Sequence, residues 1–271
     1  MKREKSAAMP VHNYLRTMHS ADFVHRGSIV RKIWGKSDTI LFIFAGSAAE
    51  FALNKAVDWL YFTGKLPADP IGRLFSTVAY ARMIVFSETE KANAAIDRIN
   101  SIHKGIEQAR QLSIPDWAYR DVLFMLIHYS IASYELLERK LNDAEKEEVY
   151  DVFYRVGMRM GLHGLPVSYK EWLPVREHHM KNDLVKSEHS LDLFKQYKKH
   201  LGTGRYIVLK ESQKMVMPHY TKKLLDLDGP QWLRPTVPVY KLARKLRIDA
   251  IIRNLLLPAQ YKAEIQALNI D

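Results

Sequence analysis

Cysteine is absent from this 271-residue chain. That one absence excludes disulfides, thiolate zinc sites, iron–sulfur ligation and cysteine nucleophiles together. Any metal must then be held by His, Asp or Glu, or arrive inside a cofactor. Long hydrophobic runs are scarce too. The longest, Ile40 to Ala49, stops at Glu50 and is too short to span a bilayer. Met1-Lys-Arg-Glu-Lys-Ser6 is charged, but polar residues follow where a signal peptide needs an apolar stretch. A cytoplasmic protein is expected. The HExxH, GxGxxG, P-loop and GxSxG motifs are missing, and no Glu stands three residues before a His. Zincin and ferritin-like di-iron helices therefore lack their signatures, as do common nucleotide folds and α/β-hydrolases.

What is present has globular proportions. Hydrophobic residues make up 47% and charged residues 26%, which argues against wholesale disorder. The net charge of +11 is unevenly spread: sixteen basic and seven acidic residues lie between Lys181 and Arg253. The first 180 residues are nearly neutral. Basic character therefore belongs to a C-terminal third.

The hydrophobic spacing is helical almost throughout, with weak strand-like alternation only around Arg205-Tyr-Ile-Val-Leu209. An all-α fold is expected, without internal repeats. The pattern predicts a first long helix from Asp38 to about Phe62, closed by Gly64 and Pro67. Asp69-Pro70 opens a second, to about Phe86, with Pro in the first turn. Ser87 caps a third, to about Gln111, with Glu90 completing a capping box. Pro115-Asp116 starts a fourth, reaching Lys140. Asn142 starts a fifth, covering Asp143 to Met160. Two more fall at about Tyr169–Lys181 and Ser190–His200. Gly202-Thr-Gly204 reads as a helix C-cap and turn rather than a phosphate loop, after which the pattern loosens.

Two polar features interrupt the apolar stripes. In the third helix His103 lies within the stripe of Ala92, Ala95, Ile96, Ile99, Ile102 and Ile106. A core-facing histidine must have its nitrogens satisfied, by hydrogen bonds or by a metal. On the residues alone, the hydrogen-bonded alternative is favoured. In the second helix Arg73 and Thr77 share a face with Tyr80 and Ile84, and an Arg there ordinarily reaches out to solvent.

The stretch Asp69-Pro-Ile-Gly-Arg73-Leu-Phe-Ser-Thr77-Val-Ala-Tyr80, then Val85-Phe86, then Ile99-Asn-Ser-Ile-His103 resembles an oxygenase signature. The pattern is DPxxR, three residues, Thr, then about 25 residues and a His. It belongs to the catalytic-domain family of the rubber oxygenase (latex clearing protein) and the endoplasmic-reticulum-bound oxygenase of mycophenolic acid synthesis. Asp121 to His128 is similar to that family's next helix, and Arg155 to Pro166 to its fifth. The resemblance covers roughly residues 30–185.

It implies a multi-helix, distantly globin-like core holding haem b, with dioxygen bound at the iron. His103 then becomes the axial ligand. Arg73 and Thr77 become pocket residues that orient or polarise dioxygen, and His128 is either a core histidine, the favoured alternative, or a residue facing the haem or its surroundings. A neutral imidazole on an apolar wall suits haem iron, and its second nitrogen should donate to a carbonyl or carboxylate. Without cysteine, thiolate-ligated chemistry is excluded. The implied activity is that of an oxidoreductase, a haem-dependent oxygenase acting on an apolar, isoprenoid- or lipid-like small molecule. The sequence departs from the family at Ser76, where many members carry Lys or Arg. Asn54-Lys55 replaces a common His-Pro pair, and Leu112-Ser-Ile114 replaces an aromatic-Ser-Ala approach.

Three segments follow: an arm over 1–29, a helical oxygenase-like domain over 30–200, and a basic, less regular helical extension over 201–271 packed on it. Glu177-His178-His179 reads as a solvated face, and His163 as a helix cap. In the extension, Lys241, Arg244, Lys245, Arg247 and Arg253 recur around Leu242, Leu246 and Ile251. That segment reads as a solvated face or as peripheral contact with an anionic membrane. Nucleic acid is disfavoured, because no RNP, KH or helix-turn-helix signature occurs. Leu255-Leu-Leu-Pro258 is similar to an ending in some family members. The competing reading is a non-catalytic scaffold that binds a hydrophobic ligand and docks on anionic membrane surfaces.

Overall fold

The computed structural model describes residues 21–64 and 68–245. Among them there are helices and two isolated bridges but no strand, so the fold is all-α as expected. In chain order the helices are α1 (Ile29–Trp34), α2 (Ser37–Leu53), α3 (Asp58–Phe62), α4 (Pro70–Phe86), α5 (Thr89–Arg110) and α6 (Asp116–Leu137). Then come α7 (Asp143–Arg159), α8 (Tyr169–Asp183), α9 (Glu188–Val216), α10 (His219–Leu224) and α11 (Val237–Lys245).

The centre is α2. It is apolar on nearly every side, and a helix of that kind must be enclosed. Its most extensive partners are α6 and α9, with α1 and α4 completing the cage. Gly46 lets α2 approach α6, because a Cβ there would collide with the Tyr129 ring. A main core of Ile33, Trp34, Ile40, Phe124, Ile127 and Tyr150 joins α1, α2, α6 and α7. A smaller apolar cluster sits where α2 and α4 meet α9, built on Ala48, Ala52, Ile71, Leu193 and Leu201.

Several boundaries differ from the sequence expectation for identifiable reasons. The first long helix does not run to Phe62; it stops at Asn54, whose backbone turns extended (φ −64°, ψ 131°). Asn54 Oδ1 accepts from Ala56 N at 2.7 Å, a local bond that competes with helix continuation. The chain then clasps the end of α8: Lys55 N donates to Asp183 O (2.9 Å) and Val185 N to Leu53 O (2.7 Å). Ser87 terminates α4 rather than capping α5, and Glu88 occupies the α5 N-cap without a side-chain bond. The box formed by Asn142 and Glu145 at the start of α7 is present.

The loosening expected after Gly202 begins only beyond Val216, where short helices and loop follow. Gly202 takes φ 75° and ψ 166°, breaks the helix, and α9 then resumes to Val216, carrying the strand-like 205–209 stretch as helix. The boundary expected at residue 200 thus falls inside α9. Beyond it, α11 is fastened to the core. Arg244 Nε meets Asp38 at 3.1 Å, its Nη2 pairs with Glu138, and Tyr240 Oη donates to Asp38 at 3.1 Å. Arg247, Arg253, Leu246, Ile251 and the Leu255–Pro258 ending lie outside the described residues, as does most of the 1–29 arm.

Candidate functional site

The helical hairpin α4–α5 creates the candidate site. The chain reverses at Ser87–Glu88, and Arg73 and His103 stand at comparable distances from that reversal, so the two meet across the hairpin. The Asp69-Pro-Ile-Gly-Arg73 segment is the start of α4 in chemical terms. Asp69 Oδ1 accepts from Gly72 N at 2.9 Å, Pro70 occupies the first turn, and a side chain at 72 would strike the Asp69 carboxylate. Arg73 therefore projects from a fixed first turn. One turn on, Thr77 Oγ1 donates to Arg73 O at 3.2 Å on an exposed face. Ser76 Oγ donates to the same carbonyl at 2.8 Å and meets Arg73 Nη1 at 3.4 Å. Among the described residues no carboxylate pairs with Arg73.

His103 is half-buried, with its ring edge-to-face on Tyr119 at 5.1 Å between centroids. Its Nδ1 is sealed from solvent without a hydrogen-bond partner. The carbonyl or carboxylate expected for that nitrogen is therefore not there. Burial, then the nearby Arg73 charge, push His103 below the usual imidazole range, against an opposing pull from Glu107. The ring is held neutral. Glu107, one turn after His103, accepts from Ile114 N (2.7 Å) and from Tyr119 Oη (3.4 Å), which braces Tyr119 against the imidazole. Tyr119 and Glu107 escape a sequence reading, because neither stands in an apolar stripe or a motif.

Beside this hairpin lies a cleft of about 390 Å³ between α3, α4 and α5, within the range of small-molecule sites, about 300–1,000 Å³. Leu60, Phe62, Ile102 and Ile106 wall it, and among the described residues that line it Arg73 is the one that carries a charge. Its α3 wall is held from outside. Arg110 pairs with Asp58 at 2.6 Å and stacks on Trp59 at 4.2 Å.

His128 is elsewhere. Tyr119 and His128 are both on α6, about 13 Å apart along its axis at the rise of a helix. Its Nε2 meets Val216 O at 3.3 Å, and burial, reinforced by Arg176, lowers its pKa to about 4. The structure thus brings Arg73, Thr77 and His103 onto one hairpin and leaves His128 apart from them.

A second polar group, unforeseen in the sequence, lies near His128. Arg176 is buried and pairs with Glu50 and, at 3.4 Å, with Asp121. Tyr129 Oη donates to Glu50 at 2.9 Å, and Asn54 Nδ2 donates to Asp121. The one available signal was Glu50 ending the longest apolar run. His179 corrects the solvated-face reading: it is buried, packed on Phe124, and bonded to Asp183 at 2.5 Å, while Glu177 and His178 are exposed. His163 is exposed and does not cap; its carbonyl accepts from Arg120 at 2.9 Å, and α7 ends at Gly161 with φ 81°.

Among the described residues no three His, Asp or Glu side chains gather to hold a metal ion. A haem iron asks less of the protein, one or two axial ligands. His103, whose Nδ1 has no partner, could supply one; it sits on α5 next to Ile102, which lines the cleft, but does not itself line it. No helix among the described residues is long and apolar enough to cross a membrane. Residues 34–256 match the family model described as "ER-bound oxygenase mpaB/B'/Rubber oxygenase, catalytic domain". No curated protein and no solved structure matches the chain.

Proposed function

The chain belongs to the mpaB/rubber oxygenase catalytic-domain family, and from that premise we propose that it is a haem-b-dependent oxygenase of an apolar small molecule. The observation that carries this reading is His103, a half-buried imidazole kept neutral, whose Nδ1 is sealed from solvent without a hydrogen-bond partner. Such a nitrogen costs stability unless something else satisfies the ring. His103 would be the axial ligand of the iron. Haem b, when bound, supplies the redox-active iron at which dioxygen chemistry takes place.

The remaining work falls to this chain's own groups. Tyr119, braced by Glu107, fixes the plane of the His103 ring. Arg73 brings an unneutralised guanidinium to the cleft, able to hold an acidic edge of the cofactor or to orient a polarised oxygen species. Thr77 adds a hydroxyl one turn away. Ser76, engaged with Arg73, offers a hydroxyl where many relatives of this type have a cation, which leaves Arg73 as the positive donor among the described residues of the cleft. Leu60, Phe62, Ile102 and Ile106 give the cleft apolar walls and favour an apolar, isoprenoid- or lipid-like substrate.

Purified protein should be coloured, with a Soret band that His103→Ala removes or strongly shifts. Arg73→Ala should keep the band and weaken dioxygen turnover. Colourless protein that also leaves added haemin unbound would overturn the oxygenase reading. A second reading then takes over, a hydrophobic-ligand scaffold docking on anionic membranes. It is favoured by Trp232, Val239 and Leu242, which stand 75%, 68% and 57% exposed in the basic extension.

A further inference from the structure

On the opposite side of α4 from Arg73 lies a second, partly open cavity of about 70 Å³, between α2, α4 and α9. Its origin is legible in the chain. α2 presents Ala45 and Ala48 where larger side chains would reach across, and α9 breaks at Gly202, just after the lining residue Leu201. α4 contributes Ile71 and Phe75. Among the described residues the lining is apolar throughout, apart from the Tyr197 hydroxyl.

A buried water needs two to four polar partners, and cavities without them stay dry. This one cannot offer that many. It is well above the roughly 10–15 Å³ that admits a water-sized body, and about half of the roughly 150 Å³ that holds benzene. A diatomic gas fits; an aromatic ring does not. Helical spacing sets Ile71 and Phe75 opposite Arg73 and Thr77, so the cavity and the Arg73 cleft are separated by one helix, about 10 Å.

We propose that this cavity is a binding site for dioxygen, holding the apolar co-substrate one helix away from the site of its use. Its purpose rests on the oxygenase reading, whereas the binding itself does not. The occupant must be small, uncharged and without hydrogen-bonding needs, and dioxygen is the one reactant of the proposed chemistry with all three properties.

The test is methyl NMR of the full chain with and without dioxygen pressure, since the gas is paramagnetic and broadens what it touches. Methyls of Ile71, Val78 and Leu201 should broaden well beyond those of Ile33, Ile127 and Val149 in the main core. Added xenon should compete and reverse the effect. Ala48→Leu should abolish the local broadening; Ala45→Leu is the second filling variant should the first fail to fold. Haemin uptake, followed by its Soret band on the same variants, should be unchanged, so the oxygenase reading fails or stands on a separate signal. Broadening spread evenly over the core, indifference to xenon, or broadening that survives the filled cavity would overturn the site.

Discussion

His103 and His128 are both half-buried, with burial lowering the pKa of each, and what their nitrogens meet separates them. His128 has a carbonyl partner in Val216, whereas His103 Nδ1 has none. The first is a satisfied core residue as it stands; the second is not, which is why it draws the functional assignment. His128 and Asp121 also set the pH response. Burial, and next the Glu50 charge, raise Asp121 from its ordinary 3.8 to about 7. The folded state binds that proton more tightly than the unfolded one, so stability is lost as pH rises from about 4 to about 7. His128 acts oppositely: lowered from 6.5 to about 4, it costs stability as pH falls through that interval. Between about pH 4 and 6.5 the two slopes oppose each other. Urea midpoints measured across this window should therefore rise with pH in Asp121→Asn and fall with pH in His128→Gln. The unaltered protein should be flatter than either. Parallel profiles in all three would dismiss the opposition. Neither shift is readable in the sequence, because both depend on Arg176, brought from α8, and on Glu50, brought from α2.

Among the helices, local chemistry and tertiary contact divide the boundaries between them. The starts of α4 and α7 are legible because Asp69-Pro70 and Asn142 with Glu145 act on their own neighbours. The end of α2 is not legible. Asn54 breaks no helix by propensity alone, and its stop depends on Asp121 and on the clasp to α8. Gly202 is the intermediate case: its identity suggests a break, but not that α9 continues beyond it. At φ 75° and ψ 166° it occupies a region essentially reserved for glycine, where another residue costs about 1–3 kcal/mol. Gly202→Ala should lower the unfolding free energy by that amount, read as a lower denaturant midpoint with an unchanged slope, whereas the neighbouring Gly204→Ala should be near neutral or stabilising. Equal effects at the two positions would contradict a strained break.

Over the whole molecule the charge asymmetry takes on a more definite shape. Part of the basic extension is internally neutralised: Arg244 meets Asp38 and Glu138, Lys186 meets Asp226, and Lys214 meets Glu211. Exposed Trp232, Val239 and Leu242 remain beside the surface cation Arg234. If this face docks, co-sedimentation with vesicles should increase with their phosphatidylserine content and vanish at high salt. Trp232→Ala should weaken it. Indifference to both lipid charge and salt would remove membrane docking. The family match to residue 256 was not legible at its full extent, because the motifs that carry it end before the extension.

The enclosure of α2 also has a consequence for synthesis. Beyond Asp38 and Glu50 its 17 residues carry no charge, most are apolar, and the helices that cover it arrive much later, α9 ending at Val216. At roughly 5–20 residues per second, the ribosome leaves this helix without its lid for on the order of 10–30 s. During that interval the nascent chain displays the most aggregation-prone helix it possesses, so its yield in a cell should depend on chaperone supply more than its final stability would suggest.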